Sequence, residues 1–364
     1  MKPSHTHPND PAPGFLLSAS TDLQQQVGVV SKKIGGCYTV RLDERSLSCT
    51  LSKRLSRSTN AAPLPSQKPA LRSGRQVDRQ VDAHSDVNSV VVGDLVLLEE
   101  TDSQAGVIKF VLPRRNQIAR RSAVPMPSAH PFEQVIAANL DQVVPVFAAA
   151  EPAPKWNLLD RYLVSAESAG LPALICITKL DLAPEDPQDE FWHRLAEYRR
   201  IGYPLVCVSA VSGEGLGQLR DALSGRLSVL LGKSGVGKTS LLNALQPGLG
   251  LRVNAVSQAT GKGKHTTTHQ EMFPFQPASE DPETTTSAGA IVDTPGVREF
   301  GLWEVSRDDL ALFFPEMRPL VGRCRFGLDC EHNEEPGCAI RKAVMDGQIS
   351  PPRYQSYLLL KEEP

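Results

Sequence analysis

The stretch SVLLGKSGVGKTSLLNAL, residues 228–245, predicts the fold class of the chain. It places Gly232-x-x-x-x-Gly237-Lys238-Thr239 between an apolar, strand-like run and a helical pattern. Glycines let backbone N–H groups surround phosphate oxygens, and the following helix points its positive end at them. Lys238 is suited to the β and γ phosphates, and the Thr239 hydroxyl is placed to ligate Mg²⁺. A chance match in a Gly-rich turn is the alternative, and the strand-to-helix context argues against it.

We therefore predict a nucleotide-binding phosphate loop in an α/β domain. Its expected nucleotide contacts are Gly232, Lys233, Ser234, Gly235, Val236, Gly237, Lys238, Thr239 and Ser240.

A second phosphate-side motif is DTPG, residues 293–296, which comes directly after the apolar run AGAIV. Asp293 can hold Mg²⁺ through water, and the Gly296 N–H can reach the γ phosphate. The tetrapeptide alone is a common turn sequence. Its position at a strand end, 55 residues after Lys238, predicts the second half of a phosphate site.

The candidate base-reading motif Thr178-Lys179-Leu180-Asp181 comes before the phosphate loop and directly after the apolar run ALICI. The Asp181 carboxylate can accept hydrogen bonds from the N1–H and N2–H₂ edge of guanine, a donor pair that adenine lacks. Lys179 can pack its stem over the base. The usual first residue of this motif is Asn, and Thr178 keeps a hydroxyl but loses the amide. A strand ending in a polar turn is the alternative.

The stretch VSAVSGEG, residues 208–215, is a weaker candidate for additional contacts to the base. Ser209 and Ala210 lie at its centre. By itself this stretch is weak evidence for a base contact, and it gains weight only beside the neighbouring motifs.

A polar, Gly-rich stretch, QATGKGKHTTTHQ, lies between the phosphate loop and DTPG. A nucleotide switch must supply a Thr to Mg²⁺ and reorder when the γ phosphate leaves. Among Thr266, Thr267 and Thr268, we expect Thr267 and Thr268 to serve magnesium. A plain flexible loop is the alternative.

The position after DTPG, where many GTPases carry a water-orienting Gln, is Val297. Val297 cannot hydrogen-bond water, so slow intrinsic hydrolysis is expected. His265 in the preceding segment is the candidate catalytic group. Capping of the loop or contact with RNA is the alternative role for this imidazole.

The motifs run in the order base reader, phosphate loop, switch, DTPG, a rotation of the usual GTPase order. If the original chain ends are joined and the chain is cut elsewhere, the contacts within the sheet stay the same, so the usual GTPase domain can still form. The chain then leaves this domain just after DTPG, which connects the switch to the C-terminal part of the sequence.

That C-terminal part contains Cys324-x₅-Cys330-x-His332-x₅-Cys338. Three thiolates and one imidazole suit a closed, tetrahedral structural Zn²⁺ site. Three of the seven Cys fall in this short stretch, and CxxC is absent from the sequence. Zinc is therefore favoured over free thiols or redox chemistry.

Composition is typical of a soluble protein of two or three domains, with 364 residues, 40% hydrophobic and 22% charged. No apolar run approaches the roughly 18 residues of a membrane span, and the N-terminus lacks the pattern of a signal peptide. We expect a cytoplasmic protein with four regions. They are a disordered leader (1–20), a β-barrel (21–122) with a mobile insertion (52–86), a GTPase domain (128–305) and a zinc-binding domain (306–364).

Short, alternating β-rich runs with Gly-marked turns in residues 21–122 predict a small β-barrel or a β-sandwich. Net charge is −2 for the whole chain, but residues 20–122 hold 16 Lys or Arg against 10 Asp or Glu. This local excess is compatible with RNA binding, and equally with an ordinary solvated face.

Together, GKSGVGKTSLLNAL, GKGKHTTT, DTPGVREFGLW, the permuted order and the Cys-Cys-His-Cys cluster resemble the ribosome small subunit-dependent GTPase A family. The resemblance covers the chain from about residue 21, apart from the 52–86 insertion. It implies an N-terminal OB-fold, a circularly permuted α/β GTPase domain and a small helical zinc domain.

The resemblance also implies the function. It predicts hydrolysis of GTP to GDP and phosphate, stimulated by the small (30S) ribosomal subunit, in late maturation of that subunit. The expected partners are the subunit with its rRNA and GTP or GDP, with Zn²⁺ and Mg²⁺ as cofactors, no membrane, and a monomeric chain. A GTP-regulated RNA-binding protein with another partner is the alternative.

Overall fold

A closed barrel, an α/β sheet and a helical C-terminal module succeed one another along the chain. The computed structural model describes residues 25–43, 45–53, 55, 90–121, 133–251, 270–275, 289–293 and 305–363. Within these ranges it contains thirteen strands and six α-helices. The predicted leader and nearly all of the predicted insertion lie outside the described residues.

Five strands form the N-terminal barrel: β1 (Gln25–Ile34), β2 (Cys37–Leu42), β3 (Arg45–Leu51), β4 (Leu95–Glu100) and β5 (Ala105–Val111). They pair in the order β1-β2-β3-β5-β4, and β4 pairs back onto β1 to close the barrel. Alternate residues such as Val30, Val40 and Leu98 fill its interior, as the period of two in a strand requires. The predicted OB-like barrel is confirmed.

A two-stranded antiparallel unit connects the barrel to the next domain. It consists of β6 (Gln117–Arg121) and β7 (Glu133–Ala138). Close by, the fully buried carboxylate of Asp94 accepts hydrogen bonds from Arg114 at 2.7 and 2.9 Å and from the Val91 N–H at 2.9 Å. This buried ion pair fixes the end of the barrel from which the connection leaves.

The α/β domain is a mainly parallel sheet in the order β10-β9-β8-β11-β13-β12. Its strands are β8 (Gln142–Ala148), β9 (Ile175–Thr178), β10 (Leu205–Cys207), β11 (Leu227–Leu231), β12 (Gln270–Phe275) and β13 (Gly289–Asp293). All run parallel except β12, which pairs antiparallel with β13. Buried cores lie on both faces of this sheet, as expected for strands covered by helices.

Four helices cover the sheet: α1 (Trp156–Ser168), α2 (Glu190–Ile201), α3 (Leu216–Leu223) and α4 (Lys238–Leu245). Helix α2 has well-defined ends, because the Asp189 side chain accepts the Phe191 N–H at 2.8 Å and Gly202 adopts a left-handed conformation after the last turn. With α4 directly after β11, the strand–loop–helix unit predicted from the sequence is present.

The barrel and the α/β sheet are continuous. The C-terminal part of β1 pairs antiparallel with the start of β12, through Lys32 opposite Glu271 and Lys33 opposite Gln270. One sheet of eleven strands results.

The C-terminal module contains short 3₁₀ turns and then α5 (Ala339–Met345) and α6 (Pro351–Glu362). It packs against α1, whose Val164 belongs to the core of the module. The chain enters the module after DTPG, as the motif order predicts, but its packing surface is on α1. In the part of the chain that the structure describes, we find no helix with the length and hydropathy to cross a membrane.

A buried ionic cluster fixes this contact. Arg353 of α6 is 1% exposed, and its guanidinium donates to Asp160 of α1 and, at 2.7 and 3.1 Å, to Glu316. Tyr198 of α2 donates its hydroxyl to the same Asp160 at 2.6 Å. The Arg353 guanidinium also lies 4.6 Å from the ring centre of Phe314. The module is therefore held to two helices of the α/β domain by an interior network.

Candidate nucleotide site and metal cluster

The motifs identified in the sequence lie at one edge of the sheet. The base-reading motif begins at the end of β9, the VSAVSGEG stretch comes after β10, the phosphate loop comes after β11, and Asp293 ends β13. These four strands are parallel, so their carboxyl ends meet at the same edge. This is the edge at which open α/β sheets bind ligands.

The phosphate loop approaches β8 very closely. A Cβ atom on Gly232 would lie 2.5 Å from the carbonyl oxygen of Val146, so a side chain at this position would displace the backbone. Gly237 caps the N-terminus of α4 with a φ of 92°, a left-handed conformation that glycine adopts without strain. Both glycines are thus required by the geometry of the loop.

Lys238, in the first turn of α4, is folded into this loop. Its Nζ donates to the carbonyl oxygens of Gly232 at 2.6 Å and Lys233 at 3.1 Å. Burial lowers the pKa of Lys238, and the neighbouring Asp293 carboxylate acts in the opposite direction. The ammonium is held in the cradle where phosphate oxygens would approach, in the same loop as Ser234 and Gly235.

Lys233 has basic surroundings. Its pKa is lowered by partial burial and by repulsion from Lys155 and Arg161 of the α1 region. The sequence pattern does not indicate that these two residues approach the loop, because they lie on a different element. An anion at the phosphate loop would relieve this repulsion.

Thr178 links the base-reading motif to the phosphate loop. Its side chain is 3% exposed, and Oγ1 lies within hydrogen-bonding distance of the Val236 carbonyl and 3.2 Å from the Phe147 carbonyl. Because both oxygens are acceptors, they share the single hydroxyl proton, and the side chain links β8, β9 and the loop. Thr178, in place of the usual Asn, therefore makes a hydrogen bond to the loop.

Asp181 is exposed at the sheet edge and paired with the second predicted base-contact segment. Its Oδ1 accepts the Ser209 hydroxyl at 2.6 Å. Ser209 Oγ in turn accepts the N–H groups of Val211 at 3.2 Å and Ser212 at 3.1 Å. One carboxylate oxygen is thus oriented by Ser209, in a loop that also carries Ala210.

Lys179 adopts a left-handed backbone conformation with a φ of 54°. Its Nζ donates to the carbonyl of Glu151, in the loop after β8, and the Leu180 N–H donates to Val208 O at 3.1 Å. The contact with Glu151 is a feature that the sequence pattern does not reveal, since nothing in residues 149–155 resembles a nucleotide motif.

Asp293 is 4% exposed and lies at the phosphate edge near Lys238. The structure brings Asp293, the phosphate loop, the base-reading motif and Ser209 together. The remaining predicted site residues lie outside the described residues: His265, Thr266, Thr267, Thr268, Gly296 and Val297.

The C-terminal Cys and His residues form a compact cluster. One ligand atom from each of Cys324, Cys330, His332 and Cys338 lies within 4.8 Å of the others. His332 Nδ1 is 3.4 Å from Cys324 Sγ and 3.6 Å from Cys338 Sγ, and these two sulfurs are 3.9 Å apart. Sulfurs bound to one tetrahedral Zn²⁺ at about 2.3 Å would lie at similar separations. The residues present therefore fit a single metal ion.

The surroundings of the cluster also suit metal-bound thiolates. Backbone N–H groups of Ala339 and Arg341 point at the sulfurs of Cys324 and Cys338, at 3.2 and 3.4 Å. Burial raises the pKa of Cys330 to about 12 and lowers that of His332. Burial thus disfavours the charged forms of Cys330 and His332 in the metal-free chain, and a bound metal would favour ionisation of the Cys330 thiol.

Comparison with known sequences identifies the family of the chain. The profile of the RsgA GTPase family matches residues 111–303. A curated relative from Pseudomonas aeruginosa (strain LESB58), named "Small ribosomal subunit biogenesis GTPase RsgA", is 45% identical over 269 residues, which are 74% of this chain and 74% of the relative. A relative of the same name from Gemmatimonas aurantiaca is 46% identical over 277 residues, 75% of this chain and 84% of its own.

Solved structures show the same architecture. The crystal structure of YjeQ from Thermotoga maritima has a TM-score of 0.66 at 27% identity and covers 93% of this chain and 97% of its own. YloQ, described as a circularly permuted GTPase, has a TM-score of 0.59 at 26% identity, with 93% and 94% covered. The chain belongs to the RsgA GTPase family.

Proposed function

We propose that this protein hydrolyses GTP to GDP and phosphate during late maturation of the small (30S) ribosomal subunit, and that this subunit stimulates the hydrolysis. The observation that carries the proposal is the convergence of a phosphate loop, a base-reading motif and Asp293 at one sheet edge, in a chain of this family. The names of its relatives supply the ribosomal role.

In this proposal the phosphate loop, residues 232–240, binds the phosphates and Asp181 reads guanine. Further contacts at the base end of the nucleotide come from Thr178, Lys179, Leu180, Ser209 and Ala210. Thr239 and Asp293 serve Mg²⁺, together with Thr267 and Thr268, and Gly296 contacts the γ phosphate. Mg²⁺ supplies charge neutralisation between the β and γ phosphates when it is bound.

The Cys and His cluster is proposed to hold one structural Zn²⁺. Three sulfurs and one imidazole nitrogen leave no open position for a substrate. The remaining parts of the proposal are an rRNA contact on the subunit, a cytoplasmic location and a monomeric chain.

Single-turnover GTP hydrolysis, measured with and without purified small ribosomal subunits, tests the function. The proposal expects slow hydrolysis by the protein alone and a marked stimulation by small subunits. Large subunits at the same concentration are the matched control. Equal rates in all three conditions would contradict the proposal and favour a GTP-regulated RNA-binding protein with a different partner.

We further propose His265 as the group that orients the attacking water when the subunit is bound. The variant His265→Ala should keep GTP binding and subunit binding, while stimulated hydrolysis falls by about 10² or more, the scale of a lost acid–base or positioning group. Unchanged stimulation in this variant would place the catalytic group elsewhere.

A further inference from the structure

Three charged side chains form one row across the junction of the barrel and the α/β sheet. Lys32 of β1 lies opposite Glu271 of β12, and Glu271 lies opposite Asp293 of β13. Lys32 Nζ is 2.8 Å from Glu271 Oε1, with side chains 29% and 26% exposed. Asp293 is buried. The row runs from the rim of the barrel to the phosphate edge.

Directly opposed residues in antiparallel strands project to the same face, with Cβ atoms about 5 Å apart. The carboxylates of Glu271 and Asp293 are therefore neighbours, and like charges in this arrangement repel. Lys32 offsets the charge of Glu271 on one side, and Lys238 attracts Asp293 on the other. Asp293 thus lies between Lys238 of the phosphate loop and Glu271, which is itself paired with Lys32 of the barrel.

The junction with β1 lies at the N-terminal end of β12. Only the first two residues of the strand, Gln270 and Glu271, pair with β1 in the described structure. The later residues Phe273 and Phe275 are buried in the core of the α/β domain. The barrel therefore contacts β12 at its start, directly after the predicted switch segment in the sequence.

We propose that Lys32 and Glu271 are positioning residues that couple the nucleotide state at Asp293 to the barrel. A bound cation at the phosphate edge draws the Asp293 charge toward itself, which reduces its repulsion of Glu271 and strengthens the Lys32–Glu271 pair. With GDP and without that cation, the repulsion returns and the junction loosens. The inference rests on the proposed binding of GTP, and it requires no contact with the ribosome.

Hydrogen–deuterium exchange of β1, residues 25–34, tests the coupling in the full-length protein. Exchange is compared with GDP and with a non-hydrolysable GTP analogue plus Mg²⁺, after titration has shown that each nucleotide is bound. We expect exchange at the Lys32 end of β1 to be slower by at least about fivefold in the analogue complex, the lower end of typical coupling between sites.

Substitutions test whether the Lys32–Glu271 ion pair transmits the nucleotide effect or only holds the two strands together. Lys32→Gln and Glu271→Gln should each remove most of the nucleotide-dependent difference, and the exchanged pair Lys32→Glu with Glu271→Lys should restore part of it. The control is Lys109→Gln, which breaks a comparable ion pair with Glu99, 2.6 Å long and 36% and 33% exposed, between barrel strands only. This control should retain the full difference.

Each outcome decides a different point. If both nucleotides bind and β1 exchanges equally in the two complexes, the coupling is overturned while the proposed GTPase function stands. A difference that survives in both single variants overturns the assignment to Lys32 and Glu271. Failure of the unmodified protein to bind either guanine nucleotide overturns both the inference and the proposed function.

Discussion

Among single residues, Thr178 connects its motif to the phosphate loop although the motif lacks its usual Asn. The hydroxyl is shorter than an amide, but it reaches the Val236 carbonyl because Gly237 brings the loop close. A Cβ on Gly237 would lie 3.4 Å from Thr178 Oγ1. The base reader and the phosphate loop are therefore tied together by one buried side chain.

Thr178→Val is expected to weaken both stability and nucleotide binding. It keeps the shape but leaves two buried carbonyls without this donor, a cost of about 1–3 kcal/mol. If half of that cost appears in the bound state, affinity for GTP falls by about two- to tenfold. Thermal melts and nucleotide titration measure the two effects. Thr178→Ser, which keeps the hydroxyl, is the control, and an equal loss in both variants would contradict the assigned contact.

Asp181→Asn is expected to relax the choice of base. Loss of the bidentate acceptor pair unpairs the guanine donors, and discrimination can fall by up to about 10⁴-fold. Competition titrations with GTP, ATP and XTP measure the change, with XTP expected to gain relative to GTP. Equal competition by ATP and GTP in the unmodified protein would show that the base-reading assignment is wrong.

Elements differ in how far the sequence predicts them. The phosphate loop, the strands around it and the Cys and His cluster have local signatures, because glycine conformation and ligand spacing are set within a few residues. The sequence does not predict strand β3, since RSLSCTL presents mostly small polar residues on its outer face. Helices α2 and α3 and strand β12 also lack a clear signal and depend on packing against the sheet.

The sequence does not predict the contacts between elements, because these contacts also depend on packing and not on a local signature. Thr178 to Val236 and Lys179 to Glu151 join segments separated in sequence by 58 and 28 residues. The partners of Arg353 likewise come from distant parts of the chain. Such contacts are fixed only when the sheet order is known, and no periodicity in one segment encodes them.

Removal of metal should unfold the C-terminal element selectively. The cluster holds Cys338 at the N-terminus of α5, while Tyr354 of α6 donates to the His332 carbonyl at 2.6 Å. One Zn²⁺ per chain is expected by elemental analysis, and a chelator should reduce helical signal from this module while the α/β domain stays folded. The variant Cys330→Ser should behave like the chelated protein. A folded module with no bound metal would contradict the site.

Metal affinity should rise with pH. The pKa of Cys330 is raised to about 12 by burial, and that of Cys338 is also raised, so both thiols are protonated near neutrality. Each proton displaced by the metal contributes up to about tenfold in affinity per pH unit. Competition with a chromophoric chelator between pH 6 and about 8 measures the slope. A flat profile would indicate that the thiolates are already ionised.

At the scale of the whole molecule, the Arg353 cluster fixes the C-terminal module to α1 and α2. Removal of the guanidinium in Arg353→Met leaves the buried Asp160 and the largely buried Glu316 without their cationic partner, and the expected loss is about 3–5 kcal/mol of unfolding free energy. Arg318→Met, which breaks a more exposed pair with Glu167, should cost about 0–1 kcal/mol. Denaturant unfolding of the two variants compares them, and similar losses would contradict the importance of burial.

The junction of β1 with β12 has a consequence for biosynthesis. Its two partners are separated by 239 residues, so the N-terminal barrel emerges during vectorial translation long before β12 is available. N-terminal domains generally fold first on the nascent chain. Until β12 has been synthesised, the Lys32 end of β1 is an open strand edge. Lysines at such edges oppose intermolecular strand pairing. Lys32 and Lys33 thus protect the unfinished protein at the edge where β12 will later pair.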